Sequence, residues 1–525
     1  MLTPNQRFMS KFLVNILLLF IGLNALGTEP KAIKPYNLLT FRQIDTDAPW
    51  LQTGNAAGLS QIPELFPSEL KLGFGQINGD FHSVFKGQSD QSFSFSSQSF
   101  RKINKTILYG SFNYSKTSER GLNFSNTNDP ALNYPYLLAD TIGNDTYGRE
   151  FFKLTGIISS PINSKLDWGL GFDYKVGVAS QSRDPRPENK VLQTTVSPGL
   201  LFHGSQFKLG TNLTYGYYNE DIDVSVVEEN VEHTMFQLHG PGVFNYHTSS
   251  TFYRLYQQHQ LGGGVQFEWK PGKLSDILHS EYIYSVQTID DGRKGNLAMW
   301  SAVKNDARLD GIDWKLIDVF SIDEGEKTHR IKAEVSIISR LGTEFIQRLE
   351  KVGETNQEHW ITYGEEQKYY SQQTNAGLKY QFMRKDENNL MNSLFQAGLS
   401  YLVFDEKYYL PNQELNYANL MFESSFLKLF ASRGSNFSAE MKLKYQLNLD
   451  EGKNLTVTNF MVQKIYSPEF NYLTSNFISP GISVGYQLPL KKAFGKYFVK
   501  SDFDWYHSTA GLNRIIFSLS TGLIF

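Results

Sequence analysis

Along most of this chain, apolar and polar residues alternate one by one. In the stretch 166–178, one face carries Leu166, Trp168, Leu170, Phe172, Tyr174, Val176 and Val178; the other carries Asp167, Gly169, Gly171, Asp173, Lys175 and Gly177. The stretch 207–217 repeats the pattern, with Phe207, Leu209, Leu213, Tyr215 and Tyr217 against Lys208, Gly210, Asn212, Thr214 and Gly216. Farther on, Met441, Leu443, Tyr445, Leu447 and Leu449 alternate with Lys442, Lys444, Gln446 and Asn448. A period of two is the signature of a strand with one face in oil and one in water. Many of these runs span about 11 to 15 residues, against a mode of about 5–6 in soluble sheets and about 9–11 for a tilted membrane span.

The connections alternate as regularly as the residues. Short ones fall near 102–104, 161–165, 203–205, 271–275, 323–327, 385–389, 433–435 and 491–495. Long ones fall near 117–148, 181–190, 219–258, 288–307, 342–369, 406–415 and 451–474. A soluble sandwich has no reason for that rhythm. An outer-membrane barrel does, with short periplasmic turns and long extracellular loops. The pattern predicts an all-β transmembrane antiparallel barrel of about 18 strands, one hairpin either way, over residues 68–525. The last strand, 513–525, puts Phe517, Leu519, Leu523 and the terminal Phe525 on one face, which resembles the C-terminal signal by which such barrels are recognised for insertion.

Composition adds the compartment. Arg7 and Lys11 precede an apolar run at 12–23 that ends in Ala25-Leu26-Gly27, the three parts of a secretory signal peptide over 1–27. Aromatics make up 14% of the chain and there is no Cys, so disulfides and a lipid-anchored cysteine are both excluded. Acidic residues outnumber basic ones, 53 to 50, which argues against nucleic acid as a partner because phosphate binding needs a concentrated basic surface.

If the apolar face meets lipid, the polar face lines a lumen. Its candidates are Asp167, Asp173, Lys175, Lys208, Glu268, Lys270, Lys332, Glu334, Lys379, Lys442, Lys444, Lys500, Asp502 and Asp504, eight basic and six acidic. Neither sign dominates, so no ion preference follows; the plain reading is that these charges pair across neighbouring strands. A ring of 16–18 strands leaves room for water, so something must narrow it. Residues 28–67 are the candidate. The plugged transporters of about 22 strands carry a separate plug domain, for which about 40 residues before the first strand are too few.

Candidate chemistry is thin. His233, His239 and His247 share one predicted loop with His259, Glu228, Glu229, Glu232 and Met235. His with carboxylate suits a transition metal, but the spacing matches no compact motif, and no metal or cofactor is assigned. The same loop holds Phe236, Phe244, Tyr246, Phe252, Tyr253 and Tyr256, which would pack the loop or form the aromatic girdle, or else meet a sugar or a partner protein. His279 and His507 lie on strands without a recognisable nucleophile motif, and there is no phosphate loop, so no enzyme is expected.

With signal, strands and terminal Phe in place, the chain resembles the uncharacterised outer-membrane barrel families of the Bacteroidota. The segment Trp50, Leu51, Gly54, Asn55, Ala56, Ala57, Gly58, Leu59 is similar to the Asn-Pro/Ala-Ala-Gly-Leu segment near the N-terminus of fatty-acid-transporter-like barrels. That family typically has 14 strands and has Pro where Ala56 stands here. The resemblance implies a hatch folded into the lumen, built on Trp50, Leu51, Asn55, Gly58 and Leu59. Two functions follow as expectations: a porin-like channel taking up small solutes, or an accessory barrel that binds a surface lipoprotein or transporter through its loops. Membrane lipid and the barrel-assembly machinery are the expected partners in either case.

Overall fold

A computed structural model describes residues 36–140, 145–228, 233–249, 251–292, 303–352, 357–432, 435–490 and 495–525. The signal peptide expected at 1–27, and residues 28–35 of the expected plug, lie outside the described residues. The strands are β1 (Ser68–Gly79), β2 (Ser89–Ile103), β3 (Thr106–Leu122), β4 (Leu138–Asp140), β5 (Asp145–Pro161), β6 (Leu166–Gln181) and β7 (Arg186–His203). There follow β8 (Phe207–Ser225), β9 (His233–Gly240), β10 (Val243–Ser249), β11 (Thr251–Trp269), β12 (Leu274–Asp291), β13 (Lys304–Asp323) and β14 (Lys327–Val352). The last are β15 (Gln357–Lys385), β16 (Met391–Tyr408), β17 (Gln413–Ser432), β18 (Ser435–Leu455), β19 (Phe477–Pro489), β20 (Lys496–Ser508) and β21 (Asn513–Ile524). Three helices matter below: α1 (Thr40–Asp47), α2 (Pro130–Asn133) and α3 (Ser467–Leu473).

Eighteen of these strands form one antiparallel sheet in which each pairs with its neighbours in sequence, and β1 pairs with β21 to close the ring. The closing seam runs from Glu69 opposite Ile524 to Gly79 opposite Arg514. It is finished by Ser68 N donating to Phe525 O at 2.7 Å and Phe525 N to Ser68 O at 3.0 Å. Closure satisfies every edge, the condition for spanning a bilayer with strands. Strands β4, β9 and β10 stand apart as a three-stranded sheet.

The alternation sorts the two faces. Leu213, Leu261, Val265 and Met441 point outward with more than three-fifths of their surface exposed, an apolar belt that only lipid would cover. Alternate positions, such as Leu201, Gln266, His279 and Glu268, point inward and are buried. Of the predicted insertion-signal residues, Leu519 and Phe525 are exposed on the outer face and Phe517 and Leu523 are half-buried.

The long connections differ from the expectation of open loops. Residues 342–369 are mostly strand, because β14 and β15 continue their hairpin register out to Val352 opposite Gln357. Much of 219–258 is strand as well, and β9 and β10 turn back as a hairpin of their own. The physical reason is that backbone groups above the membrane still need partners, and ladder pairing supplies them.

One consequence is measurable. Leu213, on the outer face partway along β8, is expected to tolerate no charge: Leu213→Arg should destabilise the barrel in liposomes by about 2–4 kcal/mol. The neighbouring inward Thr214→Arg should cost clearly less. Denaturant unfolding of the two variants checks the assignment of faces.

Candidate functional site

The N-terminal segment lies across the barrel at its short-turn end. It begins with α1, continues through 3₁₀ turns at Pro49–Thr53 and Ala56–Gln61, and meets the wall at β3 and β5–β8. Short polar and small residues decide this geometry. Asn55 caps the second turn, its Oδ1 accepting from Ala57 N at 3.0 Å. Its Nδ2 donates into the wall, to Leu200 O at 3.0 Å, Thr211 O at 3.2 Å and Gln266 Oε1 at 2.8 Å. Trp50 is 2% exposed among Ala57, Leu201, Ile277, Ile317 and Val319, and its Nε1 donates to Glu268 Oε2 at 2.8 Å.

The wall is shaped to receive this segment. A Cβ at Gly169 would lie 2.2 Å from Ala57 N, one at Gly199 2.1 Å from Asn55 Oδ1, and one at Gly210 2.7 Å from the Trp50 ring. Gly169 and Gly199 are direct partners across β6 and β7, so the glycines form a recess that no other residue would leave. Within the segment, Gly58 packs on Trp50. Leu59 is fully buried and Leu51 half-buried, both against the Ile44, Phe100 and Ile107 cluster. Gly216, Gly262 and Gly264 face other wall residues instead.

On the opposite wall α1 is anchored by charge. Arg42 forms two hydrogen bonds to Glu440, at 2.9 and 2.8 Å, and Asp47 pairs with Lys385 at 3.0 Å. Gln43 closes a two-way bond with the β16 approach, donating to Asn389 O and accepting from Met391 N, each at 2.8 Å. These contacts were invisible in sequence, since nothing in Thr40–Asp47 points to a partner about 350–400 residues away. The weak signal was a charged, amphipathic turn placed where a tether would need none.

The predicted lumen charges mostly neutralise one another. Lys208 pairs with Glu268 at 2.7 Å, Lys332 with Glu334 at 2.8 Å, Lys444 with Glu423 at 3.1 Å, and Lys442 with Asp504 at 3.2 Å. Lys500 pairs with Asp502 at 3.2 Å, and Asp173 lies 3.8 Å from Lys153. Asp167 meets His203 at 2.9 Å, while Lys175 sits 4.8 Å over the Phe151 ring. Beyond the segment remain polar chambers, one of about 460 Å³ faced by Asn113, Lys153, Asp173, Gln193 and Thr195.

The far end of the lumen is also filled. Residues 126–140 with α2, the β9–β10 hairpin and the helical stretch 462–473 pack inside the wall as a second apolar core around Tyr136, Leu138, Met235, Leu238 and Ile465. Buried polar groups fix it. Glu220 accepts from Asn128 N and Asn189 Nδ2, both at 2.6 Å, and from Asn133 Nδ2 at 2.9 Å. Arg254, fully buried, spans Asp291 and Asp306. His239 joins Asp306 at 3.4 Å to Glu344 at 3.0 Å. Burial alone would lower the pKa of His239, but the two carboxylates outweigh it and raise it to about 9.

Those contacts separate the three histidines named as metal candidates. His239 is engaged by carboxylates inside the cap. His233 stands opposite Ser249 at the open end of the hairpin, and His247 packs at 6.0 Å on Phe252. Among the described residues no group of three or more His, Cys, Asp or Glu could hold a metal ion. Of the loop aromatics, Phe236 and Phe244 meet edge to face at 5.6 Å, and Tyr256 donates to Tyr136 O at 2.7 Å. His279 contacts the Gln266 amide and His507 the Asn513 side chain.

A family described as "Family of unknown function (DUF6850)" has a model that matches residues 56–525, a span that takes in the second turn of the N-terminal segment. No curated protein matches the chain. Among solved structures, the outer-membrane transporter YddB of Escherichia coli is 8% identical, covering 87% of this chain and 81% of that one, with a TM-score of 0.40. The RagAB peptide importer in its closed-closed state is 7% identical over 86% and 75%, TM-score 0.41. A FadL homologue of Pseudomonas aeruginosa is 10% identical over 91% and 97%, TM-score 0.32. All three are outer-membrane barrels, and at these scores the likeness is one of general shape.

Two outcomes follow from the contacts. Asn55→Ala removes an amide whose two hydrogens are shared among three acceptors, together with a cap, about 3 kcal/mol of docking at about 1 kcal/mol for each of two donated bonds and the cap. Limited proteolysis should then cut within residues 40–61 while the barrel keeps its folded mobility on an unheated gel. For His239, a folded pKa above the unfolded value of about 6.5 means its stabilisation is complete below about pH 6.5 and is lost as pH rises through about 9. Amide protection of residues 233–240 should fall over that window by roughly two orders of magnitude, and His239→Gln should flatten the dependence.

Proposed function

The chain belongs to that family of unknown function, and from the doubly closed barrel we propose an outer-membrane uptake channel for small polar solutes. In this reading the short-turn end faces the periplasm, residues 28–67 act as a plug, and the cap closes the outer mouth. The single observation that supports it most is the manner of attachment at the N-terminal segment. It rests in a glycine recess on one wall and on two ion pairs at the other, contacts made by side chains rather than by strand pairing. Such contacts are strong enough to seal and few enough to release. The neutralised wall between plug and cap suits a small hydrated solute better than an ion of one sign.

The exposed C-terminal aromatic and the apolar belt accord with insertion into a bilayer by the barrel-assembly machinery. A second reading has one observation behind it. The β14–β15 hairpin runs far past the other strands and exposes Ile346, Leu349 and Tyr363, the kind of surface an accessory barrel would offer a surface lipoprotein. Cross-linking and co-purification from native membranes would show a stoichiometric partner in that case.

Planar-bilayer conductance tests the channel. Full-length protein is expected to pass little steady current. Deleting residues 28–67 should raise it to a level set by the cap, and deleting residues 233–249 as well should raise it further. A double deletion that folds and stays closed would sink the channel reading and favour the accessory one.

A further inference from the structure

Between the cap and the wall, bounded by α2, residues 83–86, the outer ends of β16 and β17, and the helical stretch 462–473, lies a cavity of about 470 Å³. That volume lies within the range of small-molecule sites. Its surface is largely ring and aliphatic carbon, from Phe85, Tyr134, Leu415, Tyr417, Phe470 and Tyr472 among others. Three carboxylates also face it, those of Asp129, Glu406 and Glu469, with one amine, that of Lys86.

The carboxylates are not equivalent. Glu469 accepts from Ser83 Oγ at 2.8 Å and from Val84 N at 2.7 Å. Asp129 caps α2, accepting from Leu132 N at 3.2 Å. Glu406 is 4% exposed and takes hydrogen bonds from the phenols of Tyr134 and Tyr369, while its Oε1 keeps no donor of good geometry. The hydroxyl of Tyr466, 3% exposed on the same cavity, likewise has no partner of good geometry. Among the described residues, no Lys or Arg comes within ion-pair distance of Asp129, Glu406 or Glu469.

A buried carboxylate oxygen without a donor costs free energy that a folded protein rarely leaves uncompensated. Lys86, the one amine on the cavity, feels the charges of Asp129 and Asp90 rather than that of Glu406. What would satisfy Glu406 is a positive donor carried in on an apolar body, with aromatic faces around it to hold both the body and the charge. We propose that this cavity binds a small organic cation, an ammonium group on an aromatic or aliphatic frame. The ammonium donates to Glu406 Oε1, the Tyr466 hydroxyl turns towards the same ligand, and the rings of Tyr134, Tyr417 and Phe470 enclose its carbon. This goes beyond the uptake reading: a cation held here in detergent stands whether or not the barrel conducts.

Isothermal titration of the full chain in detergent, with phenethylammonium, 2-phenylethanol and 3-phenylpropanoate as probes, tests it. The expected result is one phenethylammonium per chain, bound at least tenfold more tightly than the alcohol or the carboxylate. Glu406→Gln should weaken the ammonium at least tenfold and bring it level with the alcohol. Leu415→Trp, which fills the cavity without touching a charge, should abolish binding of the ammonium and the alcohol alike. Each variant is first checked for folded mobility on an unheated gel; should Glu406→Gln not fold, the ranking of the three probes on the unaltered chain decides alone. Equal or tighter binding of the alcohol or the carboxylate, no binding of phenethylammonium at millimolar concentration, or an ammonium affinity unchanged in folded Glu406→Gln would overturn the proposal.

Discussion

An eighteen-stranded ring is too wide to be filled by its own inward side chains, and the rest of this structure answers to that width. Eight strands would close on themselves; eighteen leave a column of water unless other parts of the chain enter it. Any backbone that enters brings unpaired N–H and C=O groups into a confined space. The chain solves this at one end with two 3₁₀ turns and α1: Asn55 Oδ1 accepts from the Ala57 amide, while the Asn55 Nδ2 and Gln43 Oε1 meet the wall's Leu200 carbonyl and Met391 amide. At the other it folds strands and helices into the mouth, so that backbone pairs with backbone and Glu220 takes up the remaining amides.

The two closures differ in kind. The cap has an apolar core crossed by buried charge, with Arg254 and His239 each held between two carboxylates. Removing one partner from such a set strands the other without solvent, which makes the set specific in geometry rather than merely adhesive. The N-terminal segment has a smaller apolar cluster, Ile44, Ala48, Leu59 and Ile62 against Phe100 and Ile107. The rest of its hold comes from two ion pairs and from fit, Trp50 and Asn55 entering a recess cleared by Gly169, Gly199 and Gly210. On that contrast the uptake reading places its proposed gate at the segment.

The barrel could be read from the chain because a half-buried strand writes its environment into every second residue, and β6, β8 and β18 do so plainly. The alternation gave no notice of the cap, because β4 and the inner part of β9 are buried without a solvent-facing side and their polar residues pair at long range, while β10 turns most of its length to solvent. The metal candidates show the same limit. His233, His239 and His247 are close in sequence, but the hairpin register sends His239 inward to Asp306 and Glu344 and leaves the others at its open end. Within the N-terminal segment, small residues were legible as a close approach, and the tryptophan as an anchor. The partner glycine Gly199 was not, since it sits in a strand whose other residues dominate its pattern.

The central claim is that residues 40–61 are a fixed part of the lumen rather than a tether below it. Hydrogen–deuterium exchange of the full-length protein in a bilayer tests this most directly, because the amides of Gln43, Ala48, Leu51, Ala57 and Gly58 all have partners in the docked segment. The account predicts that these amides exchange over minutes to hours, well behind the exposed turns at 163–165 and 270–273. Exchange of the whole segment within seconds, as fast as those turns, would contradict it.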